Sequence, residues 1–312
     1  MKKLILNFAL FIMFVSIFYV GILFLWGRYV PQILKPNLRY KLGSYGYTHS
    51  RLSEVKNVKD IDILFLGSSQ AYRGFDTRIF KKNKYNTFNL GTTNQTPIQT
   101  KLLLERYLDK MNPKLIIFQV SAMTFTFDGV ESALDIIAND QNDFYSRKMA
   151  LDLNNIKVYN ALLYGLIHDL FNLNLTFNEN TIKGKDTYVS GGFVERELQF
   201  FKKESFKENK WNFNEKQFIV FNEILEILKE KKIEVVLVNT PTTSAVYNSY
   251  SNNNVFDSIM ENKLKYLNFN KILQMDDSLN FYDSYHLNQN GVDIFNKKLI
   301  NLLSNSIHKK EI

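Results

Sequence analysis

The sequence has no cysteine among its 312 residues, and it has only four histidines. Without cysteine, the chain can form no disulfide, thiol nucleophile or cysteine-ligated zinc site. His49, His168 and His308 stand at no ligand-like spacing from one another or from carboxylates. We therefore expect neither a metal nor another cofactor, and any catalytic chemistry must come from ordinary side chains.

Acidic residues are also in short supply, since 39 lysines and arginines outnumber 31 aspartates and glutamates and give a formal charge of +8. The lysines are scattered, and no arginine–aromatic cluster or binding module accompanies them, which argues against a nucleic-acid partner. An anionic membrane surface or a phosphate-bearing envelope polymer fits this charge better. A solvated lysine surface with no specific partner stays open as the simpler interpretation.

One long apolar run stands at the N-terminus, from Leu4 to Trp26, with Asn7 and Ser16 as its most polar members. As a helix it is long enough to cross a bilayer core of about 30 Å. Lys2 and Lys3 precede the run, as is typical of a cytoplasmic end. We predict an N-terminal transmembrane signal-anchor over residues 1–30 of a single-pass cell membrane protein, with the rest of the chain extracytoplasmic.

The orientation of the predicted anchor and the anchor itself each have an alternative. Arg28, Lys35, Arg39 and Lys41 follow the run, so the charge bias across it is incomplete. The alternative to an anchor is a cleaved signal peptide. However, no small-residue cleavage site follows, and the run exceeds the usual signal core of about 7 to 15 residues.

After a polar connector, residues 31–57, the chain alternates between predicted strands and helices. A single domain over 58–312 is expected, with five parallel strands and helices on both faces, a three-layer α/β/α sandwich. The predicted strands are 61–66, 87–90, 115–120, 233–238 and 271–275, and the helices include 95–110, 215–231, 255–267 and 290–304. Residues 123–209 interrupt this pattern and include a helical segment at 150–170. We interpret them as an insertion that folds over the rim of the sheet. Its role is either that of a lid or acceptor-binding surface, or packing alone.

Two short segments carry residues suited to nucleophilic catalysis. Ser69 follows the first predicted strand in ILFLGSSQAYRGFD, where Gly67 permits a sharp turn into a helix. Asp283 and His286 stand three residues apart in FYDSYHLNQNG, a spacing that lets a carboxylate orient an imidazole. Strand ends share one edge in such sheets, so these residues are expected to form a Ser-His-Asp triad. The alternative roles are helix caps for Ser69 and Asp283 and a surface position for His286.

These segments resemble the first and last blocks of the SGNH, or GDSL-like, hydrolase superfamily, with Ser68 where aspartate commonly stands. The resemblance implies a flavodoxin-like fold and an oxyanion hole formed by the backbone N–H groups of Ser69 and Gly91, the latter within Phe88-Asn89-Leu90-Gly91. The asparagine of the third block is missing from Gln119-Val120-Ser121-Ala122. Asn94 or Ser121 are the candidates for the side-chain donor, and Asn94 has the alternative role of capping the helix that begins near Gln95.

Arg73 lies four residues after Ser69, on the same helical face. It is a candidate for binding an anionic acceptor, and an ion pair with Asp76 or a structural role is the equal alternative.

The resemblance implies a membrane-anchored serine esterase or acyltransferase acting on O-acyl groups of an envelope polysaccharide or other glycopolymer. Similar membrane-anchored proteins O-acetylate exopolysaccharides or support teichoic-acid D-alanylation, often beside a membrane-bound O-acyltransferase. Esterase or lipase action is the enzymatic alternative. The non-enzymatic alternative is a catalytically degenerate domain that binds glycan or scaffolds an export or acylation complex.

Overall fold

The computed structural model describes residues 1–43 and 46–308, with side chains to Ser304. The strands in this range are β1 Ile63–Leu66, β2 Thr87–Asn89, β3 Leu115–Gln119, β4 Ile182–Lys183, β5 Asp186–Val189, β6 Phe193–Arg196, β7 Glu234–Asn239 and β8 Tyr266–Asn268. The helices are α1 Lys2–Tyr29, α2 Thr48–Glu54, α3 Ser69–Gly74, α4 Thr77–Lys82, α5 Pro97–Met111, α6 Val130–Asn139, α7 Phe144–Leu153, α8 Ile156–Leu170, α9 Glu215–Glu230, α10 Ser244–Asn248, α11 Asn253–Glu261, α12 Phe269–Ile272, α13 Asp277–Asn280 and α14 Gln289–His308.

The main sheet has five strands in the order β2-β1-β3-β7-β8, and every neighbouring pair is parallel. This is the flavodoxin-like order, in which ligands bind beyond the carboxyl ends of the strands. One core packs β1 and β3 side chains against α5, α6 and α9. A second core on the opposite face packs the sheet against α3, α4 and α14. The predicted three-layer α/β/α fold is confirmed.

The fifth strand lies earlier in the chain than predicted. β8 is Tyr266–Asn268, whereas Lys271, within the predicted strand, belongs to α12. Asn268 ends the strand because its side-chain oxygen accepts the backbone N–H of Asn270 at 3.0 Å and so caps α12.

The predicted insertion consists of α6, α7 and α8 followed by a small antiparallel sheet, β4-β5-β6. The single helix expected over 150–170 is two helices, because Asn154 adopts a left-handed conformation, φ 45°, at the end of α7. α8 packs against α1, and β6 packs against α3. The insertion thus contacts both the N-terminal helix and the helix that begins at Ser69.

The junction between α1 and the α/β domain is closely packed. The Tyr19 hydroxyl donates to Asn160 Oδ1 at 2.6 Å, and Gly27 lies so close to the Tyr164 ring that a Cβ at this position would be 2.3 Å from it. Lys35 Nζ donates to the Gly27 carbonyl at 2.7 Å. Within the predicted connector, Leu52 and Val55 are fully buried in the main core, so part of this segment packs with the domain.

α1 is long and apolar enough to cross a membrane, a property that a signal sequence near the N-terminus would share. Most of its large apolar side chains are exposed along its length.

Candidate active site

The turn after β1 presents Ser69 at the carboxyl edge of the sheet. Gly67 has a φ of 137°, a conformation that favours glycine, and a Cβ there would lie 2.7 Å from Gln119 Cβ. Ser68 is the N-cap of α3, and its hydroxyl accepts the backbone N–H of Gln70 at 3.4 Å. The capping role therefore belongs to Ser68, and Ser69 begins the helix.

The loop before α14 holds Asp283 and His286 in one turn. Asp283 Oδ1 accepts the backbone N–H groups of Tyr285 at 2.9 Å and His286 at 2.8 Å. Asn288 caps the following helix, since its side-chain oxygen accepts the Gly291 N–H at 3.1 Å. A side chain at Gly291 would collide with the Asn280 carbonyl, its Cβ only 2.2 Å away, which explains the glycine of this segment.

The two segments meet through the imidazole of His286. Its Nδ1 lies 2.9 Å from both carboxylate oxygens of Asp283, and its Nε2 lies 2.8 Å from Ser69 Oγ. Burial acts to raise the pKa of Asp283, but hydrogen bonds from the His286 ring and from the Tyr285 and His286 backbone outweigh it and hold this pKa below its usual range. An ionised Asp283 favours a proton on Nδ1, which leaves Nε2 as the acceptor for the Ser69 hydroxyl.

Three glutamine contacts, which sequence reasoning missed, join the elements of the site. Gln119 Oε1 accepts the Ser68 backbone N–H at 2.9 Å, and Gln119 Nε2 donates to Gln70 Oε1 at 3.1 Å. Gln70 Nε2 then donates to the Tyr285 carbonyl at 3.2 Å. This chain connects the end of β3, the Ser69 turn and the His286 loop. A polar Gln119 at the end of an apolar strand was the available sequence signal.

Of the candidate oxyanion donors, two are occupied. The Gly91 N–H donates to Asn89 Oδ1 at 3.1 Å, and the Asn94 amide donates to Glu131 at 2.8 Å. Gly91 nevertheless packs against the nucleophile turn, since a Cβ there would lie 2.9 Å from the Ser68 carbonyl. Asn94 is not the cap of α5 either, because Thr96 and Gln99 form a capping box at that end.

Ser121 differs from these residues because its buried hydroxyl has no hydrogen-bond partner among the described residues. It borders a cavity of about 30 Å³ together with Gln70 and Tyr285, the chain neighbours of Ser69 and His286. The other walls come from the segments after β3 and β7, from the loop before α9 and from α10 to α12, and include Ala122, Met123, Trp211, Asn239, Thr242, Val246, Tyr247, Asn253 and Asn270.

Arg73, the candidate for binding an anionic acceptor or for a structural ion pair, is engaged within the domain. Its guanidinium forms a two-pronged pair with Asp186 of β5, at 3.0 and 2.8 Å. Asp76, the alternative partner, instead caps α4 and pairs with Arg78 at 2.7 Å. Burial acts to lower the pKa of Arg73, but Tyr72 and Asp186 raise it above its usual range. The pair ties the small sheet to α3.

The imidazole of His286 is also held by an aromatic contact. Tyr282 stacks parallel to it with ring centroids 5.5 Å apart. Arg196 and Arg73 lie over the Tyr282 ring at 4.8 and 5.7 Å, and Arg196 also pairs with Asp186 at 3.0 Å. The small sheet therefore reaches the catalytic candidates through Tyr282 as well as through Arg73.

The chain matches no protein-family model and no curated protein. Seventeen chains of solved structures resemble it, among them two from Bacteroides species. One, from Bacteroides thetaiotaomicron, is described as a "GDSL-like lipase" and is 13% identical, with a TM-score of 0.43 and coverage of 84% of this chain and 100% of the other. The other, from Bacteroides fragilis, is described as a "putative acylhydrolase" and is also 13% identical, with a TM-score of 0.42 and coverage of 86% and 98%.

Proposed function

We propose that this protein is a membrane-anchored serine acyl esterase or acyltransferase of the SGNH type, with Ser69 as nucleophile, His286 as general base and Asp283 as its orienting carboxylate. The observation that carries the proposal is the continuous contact from Asp283 through His286 to Ser69 Oγ, with no separation above 2.9 Å. Hydrogen-bonded contact between nucleophile, base and third group is the geometric signature of this chemistry.

In the proposed reaction His286 Nε2 takes the Ser69 proton as Oγ attacks an ester carbonyl, and a tetrahedral oxyanion forms. Collapse of this intermediate breaks the ester bond, and His286 returns the proton to the departing alcohol. The acyl group then rests on Ser69. A water or a sugar hydroxyl, deprotonated by His286, attacks this acyl-serine and regenerates the enzyme, so the acceptor decides between hydrolysis and transfer.

For the oxyanion we propose the backbone N–H of Ser69 and the hydroxyl of Ser121. Ser69 is the first residue of α3, so its N–H has no acceptor within the helix. Ser121 supplies a buried hydroxyl that has no hydrogen-bond partner in the part of the chain that the structure describes. Because the Gly91 N–H donates to Asn89, Gly91 serves in this proposal as a packing residue beside the nucleophile turn.

The proposed substrate is an O-acyl group on an envelope polysaccharide or other glycopolymer outside the cell membrane. The apolar α1, the lysines before it and the excess of positive charge support this location and an anionic polymer. The cavity of about 30 Å³ bordered by Gln70, Ser121 and Tyr285 is small, which supports a short acyl group such as acetyl. A membrane-bound O-acyltransferase is the proposed donor when the reaction is transfer.

The test uses a fluorophosphonate probe and a chromogenic acetyl ester on the full-length protein in detergent. Wild type should be labelled and should release the chromophore. Ser69→Ala and His286→Ala should each lose about 1000-fold or more in the rate, since the members of a triad act as a unit. Ser258→Ala, on the exposed side of α11, is the matched serine control and should behave as wild type.

If wild type is neither labelled nor active while its fold is intact, the enzymatic proposal is wrong and the non-catalytic glycan-binding or scaffolding role takes its place. Retention of the wild-type rate by Ser69→Ala would contradict the choice of nucleophile.

A further inference from the structure

The contacts between α1 and α8 fix how the domain sits relative to the N-terminal helix. Tyr19 bonds to Asn160, and Phe24 packs on Tyr164 and His168, with ring centroids 5.8 and 6.3 Å apart. Contacts advance in the same direction along both helices, so α1 and α8 run in the same sense. The N-terminal end of α8 therefore lies toward the middle of α1.

Ile156, the first residue of α8, continues the face that contacts α1. Positions 156, 160, 164 and 168 repeat every four residues and so line one side of the helix. Ile156 nevertheless stays 53% exposed, and Leu151, in the last turn of α7 beside it, is 70% exposed. At this end the domain presents apolar side chains to solvent, whereas Tyr164, farther along the same face of α8, is buried against α1.

The rise per residue of a helix gives the depth in the membrane at which these contacts would lie. Counting from Leu4, about 20 residues at 1.5 Å each cross a hydrocarbon core of about 30 Å, which ends near Leu23. Tyr19 then lies inside the outer leaflet, and Trp26 and Tyr29 lie at its headgroups, where such side chains concentrate. Ile156 is four residues, about 6 Å along the helix, beyond Asn160 toward the membrane centre.

We propose that the corner between α7 and α8, formed by Leu151, Ile156 and the exposed Lys157, inserts into the outer leaflet of the bilayer that α1 spans. This inference rests on the proposed membrane anchoring. The apolar side chains enter the acyl region, and the Lys157 side chain extends toward the headgroups. Two attachments, α1 and this corner, then hold the domain in one orientation on the membrane.

The absence of cysteine from the whole chain permits a direct depth measurement. Phe11→Cys, Ile156→Cys and Ile294→Cys, each alone in the full-length protein, are modified with a nitroxide and reconstituted in vesicles of phosphatidylcholine and phosphatidylglycerol. Collision of the label with oxygen, which concentrates in lipid, is compared with collision with a water-soluble nickel complex. Ile294, 43% exposed on α14 at the opposite face of the sheet, is the matched control.

The oxygen-to-nickel ratio at Ile156 should approach that at Phe11 and greatly exceed that at Ile294. A ratio at Ile156 equal to that at Ile294, with Phe11 in lipid, overturns the insertion of the corner and leaves the anchor intact. A water-exposed Phe11 label overturns the anchor and the inference together. Circular dichroism of each labelled protein verifies that the fold is retained.

Discussion

The side chain that best separates the two models of the oxyanion hole is Ser121. If its free hydroxyl binds the developing charge, Ser121→Ala should lower kcat by about 10- to 100-fold with little change in KM, because the bond strengthens only in the transition state. Asn94→Ala should leave kcat near that of wild type, since its amide is engaged by Glu131. Steady-state kinetics on the acetyl ester decides between them. Loss at Asn94 with silence at Ser121 would contradict the assignment.

Asp283 should also affect stability in a pH-dependent way. Its pKa is held below the usual value, so its stabilisation is complete above the ordinary carboxyl pKa of about 4 and is lost as the pH falls through the folded-state pKa. The advantage of wild type over Asp283→Asn in free energy of unfolding should therefore be constant near neutral pH and shrink below about pH 4. Urea unfolding across this range measures it, and an advantage that grows with acidity would refute the shift.

The contacts of these residues also show which side-chain neighbours can be predicted from the sequence and which cannot. The proximity of Ser69, Asp283 and His286 was predictable, because each follows a recognisable strand or precedes a recognisable helix. In such sheets the carboxyl ends of the strands share one edge. The partner of Arg73 was not predictable, because Asp186 lies 113 positions away in a small sheet whose existence was not predicted. Side-chain partners at such separations depend on packing that local patterns do not encode.

At the scale of elements, the unpredicted sheet β4-β5-β6 is the feature most closely connected to the site. Asp186 pairs with Arg73 of α3 and Arg196 of β6, and the Arg73 and Asp186 side chains are mostly buried. Asp186→Ala should cost roughly 3 kcal/mol of stability, because removal of one partner leaves a buried guanidinium uncompensated. It should also reduce the rate of the proposed ester hydrolysis by loosening Tyr282 against His286.

Glu195→Ala is the matched control for that prediction. It removes the more exposed pair between the same sheet and Arg78 of α4, which should cost less than about 1 kcal/mol. Urea unfolding of both variants gives the comparison. Equal losses at the two positions would mean that the Asp186 pair has no special part in coupling the sheet to α3.

The elements of the main sheet were largely predictable, and those outside it were not. β1, β3 and β7 are buried apolar runs, and α5, α9 and α14 have helical apolar periodicity, so each stands close to its predicted place. The hairpin strands β4 to β6 are short and mostly half-buried, which gives no strong alternation. Glycines at 184, 191 and 192, all with positive φ, were the signal for their turns.

At the scale of the whole molecule, α1 leads to a prediction about extraction of the protein from membranes. Full-length protein should pellet with membranes and remain there in alkaline carbonate, because α1 is long and apolar enough to cross a membrane and most of its large apolar side chains are exposed. Protease added to intact spheroplasts should degrade the α/β domain if it faces outward, as Lys2 and Lys3 favour. Release by carbonate would contradict the anchor, and protection of the domain from protease would contradict its orientation.

The folded junction between α1 and the domain limits how far the proposed active site can move relative to α1. A flexible stretch in place of residues 30–37 would let the domain wander by roughly 15 Å. Instead Gln32 Nε2 donates to the Leu38 carbonyl at 2.9 Å, Lys35 to Gly27, and Asn160 to the Asn37 carbonyl at 3.0 Å. In the proposed membrane-anchored enzyme, such a junction would hold the proposed active site at a fixed distance from the membrane. The proposed polymer substrate would then have to move past the enzyme for successive positions along it to be modified.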